Sequence, residues 1–296
     1  MHGPRLLVVE GNTAETRSLQ RASGARTNSD TYAQVLRRIC AANVEIVCPA
    51  DDNVLLPDPS IVASFDGVVL TGSALHVYDG GPAIDRQIEL MRRVFESGTP
   101  FFASCWGLQI ATVAAGGAVR RNPRGREVGI AEPIRRTAAG QTHPLLAGKP
   151  DPYQALTVHL DEVECPAPGT TVLAGNSWTN VQAAEIRHGD GIGWAVQYHP
   201  EYSFRDIAAV TRRFGADLIA QGSFKDIEAV THQAELLQQC ESAATNPFAA
   251  KSLGINDSVL DESIRTSELR NWFEHLVLPR VGVRSQWLMH ETSSLA

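Results

Sequence analysis

Short apolar runs alternate with helical patterns through the first 120 residues of the chain. The apolar runs have the length of buried strands, and the segments between them repeat apolar positions at the spacing of an amphipathic helix. This alternation is typical of a parallel sheet whose strands are joined by crossover helices. The polar segment 11–28 has no hydrophobic period, so it predicts a mobile loop. The predicted strands are 5–10, 44–48, 66–71 and 99–103, and the predicted helices are 32–42 and 82–98.

Strand-rich segments replace this pattern between about residues 118 and 197. Antiparallel pairing is expected in this part, and its last strand, 192–197, is expected to return to the main sheet. Ser203 and Asp206 then form the sequence pattern of a capping box, which begins a helix that ends near Gly222. The other predicted strands are 127–136, 156–163, 171–174 and 181–187.

Only helical patterns follow after residue 222. Such helices would pack on the parent domain, close over it as a lid, or form a dimer contact, and the sequence leaves these three alternatives open. We therefore predict an α/β fold with a mostly parallel central sheet, a β-rich insertion and a C-terminal helical appendage. The predicted domains are 1–222 and the helical extension 223–296, with helices over 230–240 and 259–278, a connector over 245–256 and a frayed end over 284–296.

The composition narrows the class of function. The 296 residues carry a formal net charge of −7, which argues against a nucleic-acid-binding face. No run of eighteen apolar residues occurs and no secretory leader is evident, so we expect a cytoplasmic protein without a membrane partner. The five cysteines are scattered and contain no C-x-x-C pair. They indicate neither a disulfide framework nor a zinc cage, and we predict no metal and no cofactor.

Cys105 stands apart from the other cysteines because of its neighbours. The apolar strand 99–103 runs into it, and a helical pattern begins immediately after it. This arrangement is typical of a nucleophile elbow, a sharp turn that presents a reactive side chain at the edge of a sheet. The sulfur would also lie at the positive end of the helix dipole. A structural cysteine before a helix is the alternative.

His199 and Glu201 supply the other groups that a cysteine nucleophile needs. Attack on an amide requires a proton carrier for the leaving amine and donors for the developing oxyanion. His199 follows a strand, and Glu201 lies two positions further, where extended backbone would point both side chains the same way. The oxyanion donors would be the N–H of Trp106 and an N–H from the turn of Gly72 and Ser73. The cysteine before a helix, the His-Glu pair and the glycine turn each occur elsewhere with a purely structural role. Their occurrence together and in this order predicts a hydrolase.

Three motifs together resemble the class I glutamine amidotransferase family. They are TGS at 71–73, SCWGLQ at 104–109 and QYHPE at 197–201. The resemblance covers about residues 5–220 and is strongest to stand-alone proteins similar to the amidotransferase half of GMP synthase. It implies a flavodoxin-like three-layer fold and a Cys-His-Glu triad that hydrolyses a γ-glutamyl amide through a glutamyl-thioester.

The resemblance also implies roles for individual residues. Cys105 matches the nucleophile, His199 the base and Glu201 the third member of the triad. Gly72 and Ser73 match the oxyanion turn, and Trp106 follows the nucleophile. Gln109 matches the side chain that holds the α-amino-acid end of glutamine. The segment VHLD, which contains His159, Leu160 and Asp161, resembles the segment that lines the other side of that pocket.

The chain departs from the family pattern at two places. Ala103 stands two positions before the cysteine, where the family usually has glycine, and alanine is still small enough for a crowded turn. The usual Gly-Gly-Pro turn is replaced by Gly72, Ser73 and Ala74. The segment that follows contains His76 and Tyr78, which line the entrance or have no function.

The leading hypothesis is a cysteine amidohydrolase that releases glutamate and an amine or ammonia. No synthetase domain and no P-loop motif appear in the sequence, so ammonia would either pass to a separate chain or be released. The stand-alone chain and the altered oxyanion turn favour a γ-glutamyl amide hydrolase that acts alone. A glutaminase subunit that delivers ammonia to a separate synthetase is the alternative. Further alternatives are a cysteine peptidase-like protein and a non-catalytic binding subunit. The expected ligand is glutamine or a small γ-glutamyl amide, and a homodimer stays open.

Overall fold

Twelve strands build the sheets of the described residues, which are 3–22, 24–242 and 247–282 of a computed structural model. They are β1 (Arg5–Val9), β2 (Asn43–Val47), β3 (Gly67–Leu70), β4 (Phe101–Ser104), β5 (Ala118–Arg121), β6 (Glu127–Ile130), β7 (Arg135–Arg136), β8 (Leu156–His159), β9 (Asp161–Cys165), β10 (Thr170–Gly175), β11 (Ala183–His188) and β12 (Gly191–Val196).

Eight of these strands form one central sheet in the order β2-β1-β3-β4-β12-β11-β10-β7. The pairs from β2 through β12 are parallel, and the pairs from β12 through β7 are antiparallel. Strand β12 therefore returns from the strand-rich part of the chain and joins β4 in parallel, as predicted. The remaining strands form two antiparallel pairs, β5 with β9 and β6 with β8. The carboxyl ends of β3, β4 and β12 meet at one edge of the sheet.

Helices cover both faces of the sheet. They are α1 (Ala14–Ala22), α2 (Asn28–Cys40), α3 (Pro59–Val62), α4 (Pro82–Glu96), α5 (Trp106–Ala114), α6 (Ala138–Thr142), α7 (Phe204–Arg213), α8 (Gly215–Ala220), α9 (Ile227–Gln239), α10 (Pro247–Ser252), α11 (Asp257–Leu260), α12 (Glu262–Arg265) and α13 (Ser267–Trp272). Short 3₁₀ turns occur at Val77–Asp79, Pro144–Leu146 and Cys240–Ser242, and a π-helical turn occurs at Phe273–Val277.

The alternation of side chains along the strands of the central sheet separates two hydrophobic layers, and a third hydrophobic cluster packs α7, α9, α10 and α11 around Leu156 of β8. Along β1, Leu7 and Val9 pack against α3, α4 and α5, whereas Leu6 and Val8 pack against α2 and α13. This period of two is what a strand buried on both faces produces. The arrangement confirms the predicted α/β class with a mostly parallel central sheet between two helical layers.

The segment 11–28 was predicted to be a loop, and that prediction is wrong. Helix α1 occupies its middle, and none of its residues is buried. Thr13 accepts a hydrogen bond from the Thr16 N–H at its start, and Arg17 forms an ion pair with Asp51 at 2.6 Å. The hydrophobic pattern missed the helix because the helix buries no apolar stripe.

The C-terminal helices are more broken than predicted. Helix α10 lies within the predicted connector, and the predicted helix 259–278 is divided into shorter helices. Asp261 interrupts it because its side chain accepts the N–H of Ser263 and caps α12. The end predicted to fray, 284–296, lies outside the described residues.

These helices are joined to the sheet by a buried contact and a buried ion pair. A Cβ placed on Gly67 of β3 would lie 2.8 Å from the ring of Trp272, so α13 packs directly on the sheet. Glu268 lies 2.9 Å from the ammonium of Lys149, with both side chains almost fully buried. Glu268 also accepts a 2.6 Å hydrogen bond from the hydroxyl of Tyr198, which precedes His199.

Candidate active site

Cys105 lies on a strained turn between β4 and α5. Its φ of 51° and ψ of −105° place a non-glycine residue in the left-handed half of backbone space, at a cost of about 1–3 kcal/mol. The Cys105 N–H donates to the carbonyl of Val196 at 2.8 Å, which ties the turn to the end of β12. A Cβ on Gly107 would lie 2.7 Å from the carbonyl oxygen of Leu70, so only glycine lets the helix approach the sheet here. The turn has the geometry of the predicted elbow.

His199 and Glu201 lie beyond the end of β12, next to this turn. Their side chains are 2% and 1% exposed, and Nδ1 of His199 lies 2.6 Å from Oε1 of Glu201. The ring of Tyr202 stacks on His199 with centroids 4.2 Å apart and planes 4° apart. Ser104 also contacts Oε1 of Glu201, at 3.4 Å. The imidazole is therefore held in one orientation by a carboxylate and an aromatic ring.

The surroundings of His199 favour its protonated form. Burial lowers the pKa of the imidazole, but the charge of Glu201 and the interaction with the Cys105 thiol outweigh it and raise the pKa to about 10. Within the described residues, Nε2 makes no hydrogen bond of ordinary geometry. The Cys105 thiol instead donates to the carbonyl of Val158 at 3.5 Å. Nε2 of His199 is therefore available to another group that enters the cleft.

Gly72 and Ser73 form a turn at the end of β3 that faces His199. A Cβ on Gly72 would lie only 2.7 Å from Cε1 of His199. The Asn28 amide donates to the Gly72 carbonyl at 2.8 Å, and the Ala74 N–H donates to the Asn12 side chain at 3.0 Å. No hydrogen bond occupies the Ser73 N–H within the part of the chain that the structure describes. The turn is therefore held in place by these two hydrogen bonds, and Ser73 lines the cleft.

Trp106 follows Cys105 directly, and its backbone N–H lies at the predicted oxyanion position. It is the first residue of α5, where an N–H has no partner within the helix. Its side chain is buried, and the indole N–H donates to Gln87 at 2.8 Å. The ring also lies against Gly11, where a Cβ would be 2.8 Å from Cδ1 of Trp106. Through these contacts with Gln87 and Gly11, the side chain of Trp106 stabilises the turn that carries Cys105.

The other predicted site residues line one cleft with Cys105 and His199. This cleft is also lined by Gln109, His159, Leu160 and Asp161. The ring nitrogens of His159 lie 2.8 Å from Glu127 and 3.0 Å from the Asp161 carbonyl, so both are engaged within the protein. Burial raises the pKa of Glu127, but the hydrogen bond and charge of His159, together with the hydrogen bonds from Asn176 and the Glu132 N–H, outweigh it and lower the pKa overall. His159 therefore stabilises the wall of the cleft.

The carboxylate of Asp161 is bound by the segment that follows the Gly72 turn. His76 Nδ1 lies 2.6 Å from one oxygen, and the Tyr78 hydroxyl donates to the other at 2.9 Å. The hydrogen bond to Asp161 raises the pKa of His76 against the effect of burial, and burial with the same carboxylate raises the pKa of Tyr78 to about 12. His76 lines the cleft. The segment is therefore linked to the wall that carries Asp161.

Sequence reasoning missed several residues of the cleft. Asn12 and Asn28 lie in the segment predicted as a loop, and Arg126 lies between two short strands without any motif of its own. Phe214 was placed inside one continuous helix, but the helix breaks there between α7 and α8. Gly215, directly after Phe214, is the signal that could have indicated the break, whereas nothing in the pattern marks the other three. The cleft residues outside the predicted set include Asn12, Gln20, Asn28, Arg126, Arg213 and Phe214.

The described residues contain no group of three or more His, Cys, Asp or Glu side chains arranged to hold a metal ion. None of the helices in the described ranges has the length and apolar character required to span a bilayer.

Residues 28–216 match the family model of glutamine amidotransferase class-I. The chain belongs to that family. The resemblance predicted from the three motifs is therefore confirmed. Class-I glutamine amidotransferases are cysteine-dependent amidohydrolases, and the predicted class of enzyme is confirmed with it.

Relatives and solved structures agree with this family. The chain is 32% identical over 289 residues to a γ-glutamyl-L-1-hydroxyisopropylamide hydrolase from Pseudomonas sp., covering 96% of each chain. It is 34% identical over 127 residues to a glutamine-hydrolysing GMP synthase chain from Methanoculleus marisnigri, covering 43% of this chain and 65% of that one. A crystal structure of a glutamine amidotransferase from Thermotoga maritima has a TM-score of 0.59 at 16% identity, covering 94% of this chain and all of that one. The last comparison shows the fold.

Proposed function

We propose that this chain is a γ-glutamyl amide hydrolase in which Cys105, His199 and Glu201 form the catalytic triad. The observation that carries the proposal is the meeting of a cysteine on a strained elbow with a buried imidazole, which a carboxylate 2.6 Å away orients. The Pseudomonas relative, which matches the chain almost from end to end, acts on a substituted γ-glutamyl amide by its name. Its likeness supports the same bond type here.

The geometry supports the following sequence of steps. The Cys105 thiol gives its proton to Nε2 of His199 and its sulfur attacks the γ-carbonyl carbon, so that an S–C bond forms while the N–H groups of Trp106 and Ser73 donate to the oxyanion. The C–N bond then breaks, and the amine leaves with a proton from Nε2 of His199. Water attacks the thioester carbonyl and gives a proton to His199. The S–C bond then breaks, glutamate leaves, and His199 returns the proton to the sulfur. Glu201 holds the ring and stabilises its charged form throughout.

Gln109, His159, Leu160 and Asp161 would bind the α-amino-acid end of the substrate. Gln109 is almost fully buried and contacts the Asp161 carbonyl at 3.4 Å, so its amide is held at the floor of the cleft. The carboxylate of Asp161 would attract the α-ammonium group. His159 would act indirectly, because its ring is already bonded to Glu127.

The division of the chain into a catalytic domain, 1–222, and a helical extension, 223–296, belongs to the same proposal. The end of the family match at residue 216 supports the boundary. The extension would stabilise the catalytic domain, since Glu268 reaches Tyr198 beside the triad.

The test measures the turnover of glutamine and of γ-glutamyl alkyl- and arylamides by the purified chain. High turnover on substituted amides by the chain alone, with a glutamyl adduct on Cys105 in the intact mass spectrum, supports the proposal. Cys105→Ala is expected to lose turnover by a factor on the order of a million while keeping its fold. Activity of that variant within tenfold of the unmodified chain would refute the assignment.

The GMP synthase relatives favour one second candidate, a glutaminase subunit that gives ammonia to a separate synthetase. Glutaminase activity that appears only when a synthetase is added would support it over the leading proposal. Cleavage of peptides that lack a γ-glutamyl group would instead support a cysteine peptidase.

A further inference from the structure

The loop between β5 and β6 is held rigidly at the mouth of the cleft. The indole N–H of Trp178 donates to the Gly125 carbonyl at 3.3 Å, and the Arg126 N–H donates to the Gln221 side chain at 2.8 Å. Gly125 has a φ of 85°, and a Cβ there would lie 2.6 Å from Oε1 of Gln221. These contacts hold the backbone of the loop, and Arg126 lines the cleft.

The guanidinium of Arg126 forms no ion pair with any of the described residues. Its carbon lies 3.9 Å from the centroid of the Phe214 ring, which fixes the plane of the group. Its Nε is buried and has no hydrogen-bond partner within the described ranges. Burial lowers the pKa of Arg126, and the acidic groups that oppose this, led by Asp217 and followed by Cys105 and Asp161, act through charge. A fixed cation thus lies in the cleft that holds the nucleophile.

Arg213 lies against the same ring, but it is a weaker candidate for binding. Its guanidinium carbon is 5.4 Å from the Phe214 centroid, and its side chain is exposed. An exposed guanidinium is screened by water, whereas a partly buried one with an open fork of N–H donors gains most from a carboxylate.

We propose that Arg126 binds a carboxylate of the substrate and thereby selects anionic γ-glutamyl amides. The inference rests on the proposed hydrolase function. Two sources supply such a group: the α-carboxylate of the γ-glutamyl moiety, or a carboxylate on the leaving amine. Both use the same chemistry, a planar fork of donors that matches two carboxylate oxygens. Arg126 and Asp161 would then place a partly buried positive group and a buried negative group in the same cleft.

The experiment pairs enzyme variants with substrates that differ in one carboxylate. The variants are Arg126→Gln, Arg126→Lys and, as a matched control, Arg124→Gln, which removes an exposed charge from the same loop. The substrates are γ-glutamyl methylamide and its α-carboxamide analogue, together with γ-glutamylglycine and γ-glutamylglycinamide. We measure kcat/KM for each combination and the thermal unfolding of each variant.

Loss of a charge-assisted hydrogen bond lowers kcat/KM by about 10- to 100-fold. We expect Arg126→Gln to show this loss only on substrates that retain the recognised carboxylate, and Arg124→Gln to show none. Selective loss on the methylamide, absent from its carboxamide, assigns the α-carboxylate. A loss of kcat/KM on γ-glutamylglycine that is absent from γ-glutamylglycinamide assigns the carboxylate on the leaving amine.

An equal loss on carboxylate and carboxamide substrates overturns the inference while leaving the proposed function intact. If Arg126→Gln unfolds, Arg126→Lys is measured instead. Partial retention of the preference for carboxylate over carboxamide substrates then supports the inference. If Arg126→Lys is folded and fully active and its preference is unchanged, the planar fork of the guanidinium is not needed, and that part of the inference is overturned. Failure of the unmodified chain to cleave any of the four amides overturns the proposed function and the inference together.

Discussion

Gly72→Ala tests whether the turn after β3 and the imidazole must meet at contact distance. The φ of Gly72 does not lie in the left-handed region, so alanine can adopt the same backbone. The substitution therefore changes one thing, the space between the turn and His199. A Cβ there would lie 2.7 Å from Cε1 of His199, ~0.7 Å inside the 3.4 Å at which ordinary contact begins.

The ring has little freedom to yield. Glu201 holds Nδ1 at 2.6 Å, and Tyr202 stacks on the ring with centroids 4.2 Å apart. Either the imidazole or the turn must therefore move by several tenths of an ångström. Misplacement of a reacting group by 1 Å costs about 100-fold in rate, so we expect kcat to fall by about 10- to 100-fold.

The assay is steady-state hydrolysis of a γ-glutamyl amide, with thermal unfolding measured on the same samples. Gly282→Ala is the control, because a Cβ there meets no atom within 4 Å. We expect the control to match the unmodified chain and Gly72→Ala to unfold within a few degrees of it. A kcat for folded Gly72→Ala within threefold of the unmodified chain would show that the contact does not limit catalysis.

Three further predictions concern the triad, acid stability and the buried ion pair. His199→Ala should lower kcat by a factor on the order of a million and Glu201→Gln by about ten thousand, because an orienting group contributes less than the base; steady-state kinetics with the reverse ranking would contradict these roles. The hydrogen bond from His143, aided by further donors and opposed by burial, lowers the pKa of Glu185 to about 2. The ionised Glu185 therefore stabilises the fold fully above its ordinary pKa of 4.5, and this stabilisation is lost as the pH falls through about 2. Denaturant titrations of the unmodified chain and of Glu185→Gln measure the difference in unfolding free energy. A difference that does not shrink from pH 6 to pH 2 would argue against this role. Glu268→Ala should cost about 3–5 kcal/mol of unfolding free energy because it leaves the Lys149 ammonium buried alone, and Lys149→Met with Glu268→Leu should recover most of it; additive losses in the double variant would count against a coupled pair.

The sequence was sufficient to predict the strand that leads to Cys105 and the turn that contains His199. What local pattern alone could not predict is that these two strand ends meet. Their meeting depends on β12 pairing in parallel with β4, with Val196 opposite Ser104. Strand order is a long-range property, and here the family resemblance supplied what hydrophobic periodicity does not.

The cleft walls were predicted less completely than the triad. Arg126 lies on a loop whose path is set by contacts with Trp178 and Gln221, far away in the chain. Asn12 lies just before α1, a helix that buries no side chain and so leaves no hydrophobic signal. Residues of this kind are positioned by tertiary hydrogen bonds, and their sequence neighbourhoods look like ordinary polar loops.

The contact between Trp272 and Gly67 has a consequence for synthesis on the ribosome. One layer of the sheet is completed only by the indole of Trp272, which is translated well after Cys105 and His199, so a nascent chain that already carries those two residues still exposes part of β3 to water. Folding during translation proceeds from the amino terminus, and we therefore expect the enzyme to gain its activity only after α13 has left the exit tunnel. Until then, the bare face of the sheet is a natural binding place for chaperones.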